Sequence, residues 1–410
     1  MVLTLINLLN YLDRYVLAAL GESLAHSPLH IDDAEFGLLA SGFIVVYLLA
    51  APVFGRLGDT RARTRLIALG VAGWSLATAA GGFAWSLASL FVARALVGVG
   101  EAAYGTVAPS LLADYYPRSH RGRAFAVFYA AIPIGSALGY IVGGQVDVHF
   151  GWRSAFWVAG VPGLVLAAFA LRLPDPPRGQ HDPAATEEGP GGVPRSVRRA
   201  YAALLGNRPY VLTVLGYAAY TFALGGMAAF LPKFLIRVRA VPEGPATLWS
   251  GLSLAATGFL GTAAGGWIGD RLLARTRQAY LWVSGVATLF AAPLALVALS
   301  AAAPRLYWGG IVLAEVLLFA STGPINSAIV NVVPAQVRAT AVALSILVIH
   351  VLGDVPSPTV LGVLSRASSL AHAVLIIPVA VLVSGAIWTY AAWEGGRPGR
   401  GGITGLAAAG

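Results

Sequence analysis

The chain has 410 residues, of which 57% are hydrophobic and only 11% are charged, and its mean hydropathy is +0.74. This composition excludes an ordinary soluble domain, which needs a solvated polar surface, and predicts a polytopic membrane protein. Cysteine is absent, which excludes disulfides, thiolate catalysis and cysteine-ligated metals. The net charge of +9 is not clustered as a nucleic-acid-binding face would require.

Twelve apolar runs are long enough to cross a bilayer as helices, which predicts an all-α protein. They fall at about 2–22, 35–57, 65–84, 87–113, 121–147, 152–173, 208–236, 247–270, 279–301, 306–333, 337–364 and 370–393. The first run lacks a basic leader and is predicted to be a retained helix rather than a signal peptide. The pattern predicts two six-helix bundles, 1–173 and 208–393, a cytoplasmic linker, 174–207, and a flexible cytoplasmic tail, 394–410.

The linker is rich in Pro, Gly and charge and is predicted to be flexible. Its end, at 195–205, fits a short basic amphipathic helix on the membrane surface, and a solvated linker with no other role is an equal alternative.

The basic residues predict the orientation of the chain. Nineteen of the 27 fall on the side that holds both termini and the linker, six fall on the other side, and Arg14 and Arg94 fall within the membrane. The positive-inside rule makes the first side cytoplasmic. We expect a bacterial inner membrane, with both termini in the cytoplasm.

The two halves resemble each other at two places. Asp59 follows span two and Asp270 follows span eight, each in a Gly-Asp loop. A Pro-x-x-x-Arg segment recurs at 117–121 and 334–338. Repeated six-span halves are typical of secondary transporters, in which two similar bundles move about a midplane site. The repeat therefore predicts pseudo-symmetric bundles, a midplane cavity and alternating access.

Four charged residues interrupt the apolar runs of the first half. Arg94 and Glu101 lie seven residues apart in span four, so they share a helix face at a separation of roughly 10 Å. Asp13 and Arg14 are neighbours near the middle of span one. One interpretation is a structural set of ion pairs between the two spans. The other is that Asp13 and Glu101 exchange protons while Arg14 and Arg94 bind an anionic headgroup.

The second half has its own polar set. Glu315 lies in span ten, and His350 and Asp354 lie four residues apart on one face of span eleven. A hydrogen-bonded structural pair and a contact with cargo are both open, with Glu315 and His350 as binding residues and Asp354 as a proton carrier. A metal site is disfavoured because one histidine with scattered carboxylates is a poor ligand set. Pro356 and Pro358 predict a break or kink after Asp354.

Four separated motifs stand out in the chain: NYLDRY at 10–15, VGVGEAAYGTVAPSLLADYYP at 97–117, FYAAIPIGSALGYIVGG at 128–144, and Glu315 together with HVLGDVPSP at 350–358. These motifs resemble the Spinster family of lipid transporters, and the paired Gly-Asp loops resemble the major facilitator superfamily to which that family belongs. The resemblance implies the major facilitator fold and proton-influenced transport of lysophospholipids or sphingosine phosphate. It places the family's functional charges on Asp13, Arg14, Arg94 and Glu101.

The resemblance also implies cytoplasmic gate contacts, from Asp59 to the start of span eleven near Arg338 and from Asp270 to the start of span five near Arg121. The sequence departs from the family at Thr60, where relatives usually have arginine, and at 321–328. By the same analogy, the glycines at 135, 139 and 143 and at 261, 265 and 269 are expected to pack the two halves together.

The predicted function is proton-coupled or proton-gated transport of a lysophospholipid or related anionic amphiphile. The alternative is a proton-coupled symporter or antiporter of a small organic anion. Membrane lipids, the cargo and protons are the expected partners of a monomer. No enzyme activity, cofactor, metal or nucleic acid is expected, because the sequence offers no catalytic set.

Overall fold

The structure is a computed structural model that describes residues 1–116, 118–177, 197–333 and 338–397. The first half contains seven helices: α1 (Val2–Ala19), α2 (Gly21–His26), α3 (Asp33–Thr60), α4 (Arg63–Gly81), α5 (Leu87–Tyr115), α6 (Arg118–Phe150) and α7 (Trp152–Leu171). The second half contains nine: α8 (Val197–Gly206), α9 (Arg208–Arg237), α10 (Glu243–Leu273), α11 (Ala279–Ser300), α12 (Pro304–Asn331), α13 (Arg338–Ile349), α14 (Pro356–Ala367), α15 (Leu370–Ala373) and α16 (Ile376–Gly395).

The predicted spans correspond to these helices, with α13 and α14 forming one span, α15 and α16 forming another, and α2 and α8 lying outside the twelve. Within the described ranges, nine spans are long and apolar enough to cross a membrane by length and composition, and α1, α4 and α10 are not among them. Helix α1 carries the Asp13–Arg14 pair, and α4 begins with Arg63 and Arg65, which lower the hydropathy of these segments. Together with α1, α4 and α10, the nine spans account for the twelve predicted helices.

Local sequence sets the start of two helices, α3 and α5, that contribute residues to the site. Helix α3 begins with a capping box in which Asp32 and Glu35 each accept from the other's backbone amide. Helix α5 begins with the same reciprocal arrangement between Ser86 and Ser89. Both caps satisfy amides that the first helical turn leaves without partners.

The predicted interruption of span eleven is present. A π-helical turn, His350–Asp354, follows α13, and α14 starts with Pro356 in its first turn. Proline is tolerated there because the first turn needs no amide donor. The wider π-helical turn is frequent at functional sites.

The glycine stripes pack within their own halves, so the expectation that they join the two halves is wrong. A Cβ atom on Gly139 would lie 2.6 Å from Cβ of Tyr15 on α1, and one on Gly143 would lie 3.1 Å from Cβ of Ala19. A Cβ on Gly261 would lie 2.7 Å from Cβ of Phe319 on α12. The stripes thus bring α6 onto α1 and α10 onto α12, because small residues let helix backbones approach closely.

The chain forms two compact units that do not follow the sequence halves. The first comprises Met1–Gly189, Gly226–Ala255 and Val355–Val374, and the second comprises Pro190–Gly225, Ala256–Asp354 and Leu375–Gly410. The first unit therefore holds the first six spans together with one end of α9, one end of α10 and all of α14 and α15. The division into two six-helix bundles stays a prediction from the sequence repeat.

The linker helix α8 belongs to the second unit. Leu204 is buried in an apolar cluster with Tyr210, Ile329 and Ala341. Asn207, just after α8, donates from its side chain to the backbone carbonyl of Val332 at 2.9 Å. Part of the linker thus packs on the protein, which argues against a linker with no role other than being solvated.

Candidate functional site

The four charged residues predicted from the first half lie together in the first unit, on α1 and α5. Asp13, Arg94 and Glu101 are buried, at 1%, 2% and 0% exposure, and Arg14 is partly exposed. We call these four residues the first polar cluster. Ionised groups at such depth are costly unless they are paired or used.

The ion pairs of the first polar cluster join α1 to α5. Nε of Arg14 donates to Oε2 of Glu101 at 2.7 Å. Nη1 of Arg94 lies 3.6 Å from Oδ1 of Asp13. The second distance is too long for a hydrogen bond, so the Asp13–Arg94 pair is a looser contact than the Arg14–Glu101 pair.

Thr78 on α4 completes the surroundings of Asp13. Its hydroxyl donates to Oδ2 of Asp13 at 2.6 Å, and both groups are buried. A hydrogen bond to a carboxylate is stronger than a neutral one, so Thr78 favours the charged form of Asp13.

Aromatic rings surround the two arginines. The ring of Phe43 on α3 lies 5.2 Å from the guanidinium carbon of Arg14 and 5.1 Å from that of Arg94. The rings of Tyr11 and Tyr47 lie 4.9 Å and 5.3 Å from the Arg14 guanidinium carbon. Cation–π contacts of this kind hold guanidinium groups in place without neutralising them.

Glycine allows α3 to approach α5 at this point. A Cβ atom on Gly98 would lie 2.6 Å from the carbonyl oxygen of Phe43, a distance that no side chain tolerates. The close contact places the Phe43 ring beside both arginines. Gly98 therefore supports the geometry of the site by allowing this close backbone contact.

Several polar atoms of the first polar cluster have no hydrogen-bond partner among the described residues. They are Nε and Nη1 of Arg94, Oδ1 of Asp13 and Oε1 of Glu101. Buried polar atoms in native proteins are nearly always satisfied, and an exception calls for an explanation. The donors could bind the oxygens of an anion, and the carboxylate oxygens could accept protons.

The second unit brings together its own predicted polar residues in two pairs. Oε2 of Glu315 on α12 accepts from the Thr257 hydroxyl on α10 at 2.9 Å. Nδ1 of His350 lies 2.8 Å from Oδ1 of Asp354, and the two side chains are 30% and 24% exposed. We call Glu315, His350 and Asp354 the second polar cluster. The predicted hydrogen-bonded His350–Asp354 pair is thus present.

Only one of the four predicted gate residues, Asp270, has a described side chain. The side chains of Asp59, Arg121 and Arg338 lie outside the described residues. Asp270 is described, and its Oδ1 accepts from the Tyr280 hydroxyl at 2.9 Å. The gate contacts remain predictions.

A further charged group in the first unit was not predicted. Nζ of Lys233, which is 1% exposed, lies 2.6 Å from Oδ1 of Asp33. Arg237 lies 2.7 Å from Asp33 and 3.0 Å from Glu22, and the Ser365 hydroxyl donates to Asp33. One signal was available, because Lys233 is the only lysine in the sequence and lies at the end of an apolar span.

Asp32, the residue before α3, is charged under ordinary conditions. Burial opposes its charged form, but the amide of Glu35 and the guanidinium of Arg366 outweigh burial and hold the pKa of Asp32 below its usual value. The Asp32 carboxylate therefore keeps its capping role at neutral pH.

Comparison with known proteins assigns the family. The sequence profile of the Major Facilitator Superfamily matches residues 3–358. Protein spinster homolog 1 of Mus musculus is 37% identical over 390 residues, covering 89% of this chain and 72% of that protein. The chain belongs to the Spinster family of the Major Facilitator Superfamily. This Spinster-family chain is therefore a membrane transporter and not an enzyme.

Other relatives agree with this family. The sphingosine-1-phosphate transporter SPNS2 of Mus musculus is 33% identical over 417 residues, covering 94% of this chain and 75% of that protein. The crystal structure of a bacterial homolog to the human lysosomal transporter Spinster has a TM-score of 0.86 at 23% identity and covers 96% of each chain. A D-xylose-proton symporter has a TM-score of 0.73 at 15% identity, with 96% of this chain and 95% of that chain covered. These structures confirm the predicted major facilitator fold of this Spinster-family chain.

Proposed function

We propose that the chain is a proton-coupled secondary transporter of a lysophospholipid or related anionic amphiphilic lipid, working by alternating access. The observation that carries the proposal is Arg94, which is buried and has two guanidinium nitrogens, Nε and Nη1, without a hydrogen-bond partner among the described side chains and backbone. A guanidinium group stays charged at any relevant pH and matches the planar geometry of phosphate oxygens. The relative SPNS2 carries the name of a sphingosine-1-phosphate transporter, which supports an anionic lipid as cargo.

Charge balance supports proton coupling at the same place. With both carboxylates ionised, the first polar cluster has two positive and two negative charges, so its net charge is zero. An anionic headgroup bound to Arg94 would add negative charge at low dielectric, where charge is strongly disfavoured. Protonation of Asp13 or Glu101 would restore neutrality, so cargo and proton are expected to bind together.

In this proposal the residues have separate roles. Arg94 and Arg14 bind the anionic headgroup, and Asp13 and Glu101 exchange the proton. In the second polar cluster, Glu315 and His350 contact cargo and Asp354 takes part in proton transfer. Contacts of Asp59 with Arg338 and of Asp270 with Arg121 form the cytoplasmic gate.

The orientation is part of the proposal. We place the chain as a monomer in a bacterial inner membrane, and the distribution of arginine supports termini in the cytoplasm. Under this topology the loop between α9 and α10 and the end of α6 lie outside the cell.

A transport screen in liposomes tests the function. The purified chain is reconstituted and supplied with lysophospholipids, sphingosine phosphate or small organic anions, with and without a pH gradient. We expect transport of the anionic lipids that the pH gradient accelerates. Transport confined to small carboxylates would favour the organic-anion alternative, and lipid transport indifferent to the gradient would remove the proton from the mechanism.

A further inference from the structure

Two acidic residues of the first unit meet away from the first polar cluster. Asp147 lies near the end of α6, and Glu243 is the first residue of α10. The Asp147 carboxyl group interacts with the Glu243 carboxyl group and with the Ser23 hydroxyl. The Ser23 hydroxyl donates to Oε1 of Glu243 at 3.0 Å. A hydroxyl group has one hydrogen, so Ser23 cannot donate to both carboxyl groups at the same time.

Asp147 is more than nine-tenths buried, at 7% exposure, and its Oδ2 atom has no hydrogen-bond partner in the part of the chain that is described. Its neighbouring charge is another carboxyl group rather than a cation. Two ionised carboxylates cannot share a buried site of this kind without a counter-charge. A proton between them would supply both the missing donor and the missing charge.

The charged groups on the surrounding helices have other partners. Glu22 on α2 accepts from Arg237, and His26 lies 3.6 Å from Glu22. The ring of His149, two residues after Asp147, bonds to the backbone carbonyl of Gln145 on its own helix. None of these groups acts on Asp147.

The backbone keeps the two acidic residues together. Nε2 of Gln145 donates to the carbonyl of Gly244 at 2.9 Å, and this bond ties α6 to the first turn of α10. A Cβ atom on Gly144 would overlap the side chain of Thr247, so the two helices touch directly at this level. This backbone contact keeps the two carboxyl groups close to each other.

We propose that Asp147 and Glu243 form a proton-binding site in which the two carboxyl groups share one proton and hold the end of α6 against the start of α10. Release of the proton to solvent leaves two adjacent carboxylates, whose repulsion loosens this contact. The site is separate from the first polar cluster, where each carboxylate has an arginine partner. It does not depend on the identity of the cargo.

Cysteine cross-linking tests the site without any cargo. The chain has no cysteine, so the pair Val148→Cys and Gly244→Cys provides a clean background. A Cβ atom on Gly244 would lie 3.9 Å from Cγ2 of Val148, so the two introduced thiols would be neighbours. The initial rate of disulfide formation is measured on the full chain in nanodiscs at acidic and at alkaline pH.

The same cysteine pair with Glu243→Gln is the matched reference, because an amide can donate to Asp147 at every pH and the two thiols stay at the same positions. Relative to this reference, we expect the rate in the Glu243 background to fall at least about fivefold between acidic and alkaline pH, since adjacent carboxylates at low dielectric repel strongly. Asp147→Asn should abolish the fall in the same way. The thermal midpoint of the cysteine-free chain, measured over the same pH range with and without Glu243→Gln, should show the same difference.

Three outcomes would overturn the proposal. An equal pH dependence with and without Glu243→Gln would show that the pair binds no proton. A pH dependence removed by His149→Gln, but not by Glu243→Gln, would assign the effect to the histidine. A rate that changes when sodium is replaced by a large organic cation at constant pH would show that the pair holds a metal cation instead.

Discussion

The polar clusters of the two units differ in the kind of charge they carry. The first polar cluster contains two guanidinium groups and two carboxyl groups, and three of its four side chains are buried. The second polar cluster is built from a Thr257–Glu315 hydrogen bond and a partly exposed His350–Asp354 pair. Arginine keeps its charge at any relevant pH, and the second polar cluster as defined contains no arginine. We therefore expect the first polar cluster to bind the charge of the anion. The second polar cluster is expected to make the weaker contacts with the cargo and to take part in proton transfer.

The largest effect is expected from Arg94→Ala. Truncating one partner of a buried, charged interaction costs about 2–5 kcal/mol, which corresponds to a loss of affinity of roughly 30-fold or more. Binding of a lysophospholipid to the purified chain measures the loss. Arg305→Ala, which changes an exposed arginine, is the control and should bind normally. A folded Arg94→Ala chain that binds every anionic amphiphile normally would remove Arg94 from the site.

Glu101→Gln is expected to affect the pH profile more than binding. The amide resembles a carboxyl group that is permanently protonated, so cargo binding no longer needs to recruit a proton from solvent. Transport should then vary little with pH and gain little from a pH gradient in liposomes. Glu35→Gln, in the capping box of α3, should leave the profile intact. If Glu101→Gln retains the normal profile, the coupling belongs elsewhere, and Asp13 is the next residue to test.

The charged residues of the first polar cluster could be predicted because arginine and glutamate are conspicuous in an apolar run. Their pairing follows from helix geometry, since neighbours on a helix point about 100° apart, and Asp13 and Arg14 therefore reach different partners. Thr78 and Phe43 could not be predicted. They come from other helices, and neither differs from ordinary span residues in sequence.

The glycine stripes show a second limit of the sequence. Small residues four positions apart predict a close helix contact, because they remove the side chains that would keep two backbones apart. They do not say which helix fills the space. For Gly139 and Gly261 the partner comes from the same half of the chain, which only the structure shows.

Thr78→Val tests whether the first polar cluster depends on its uncharged support. Loss of a hydrogen bond to a charged acceptor costs about 1.5–3 kcal/mol, and the valine leaves Oδ2 of Asp13 without a donor. We expect a lower thermal midpoint and easier protonation of Asp13, seen as transport that persists at higher pH. Thr288→Val breaks a neutral Thr288–Ser321 contact in the second unit and should lower stability alone. Identical behaviour of the two variants would reduce Thr78 to a packing residue.

The smallest effect is expected from Glu315→Gln in the second polar cluster. The Thr257 hydroxyl can donate to an amide oxygen as it does to the carboxylate, so the bond survives the change. A neutral acceptor makes a weaker hydrogen bond than a carboxylate, and we expect this difference to cost about 0.5 kcal/mol. That cost corresponds to a change of roughly two- to threefold in lysophospholipid affinity. The lysophospholipid affinity of Asp354→Asn, measured in the same way, shows whether a change in the His350–Asp354 pair has an equally small effect. A loss as large as that of Arg94→Ala would mean that the second cluster also binds the cargo's charge, and the division of roles between the two clusters would be wrong.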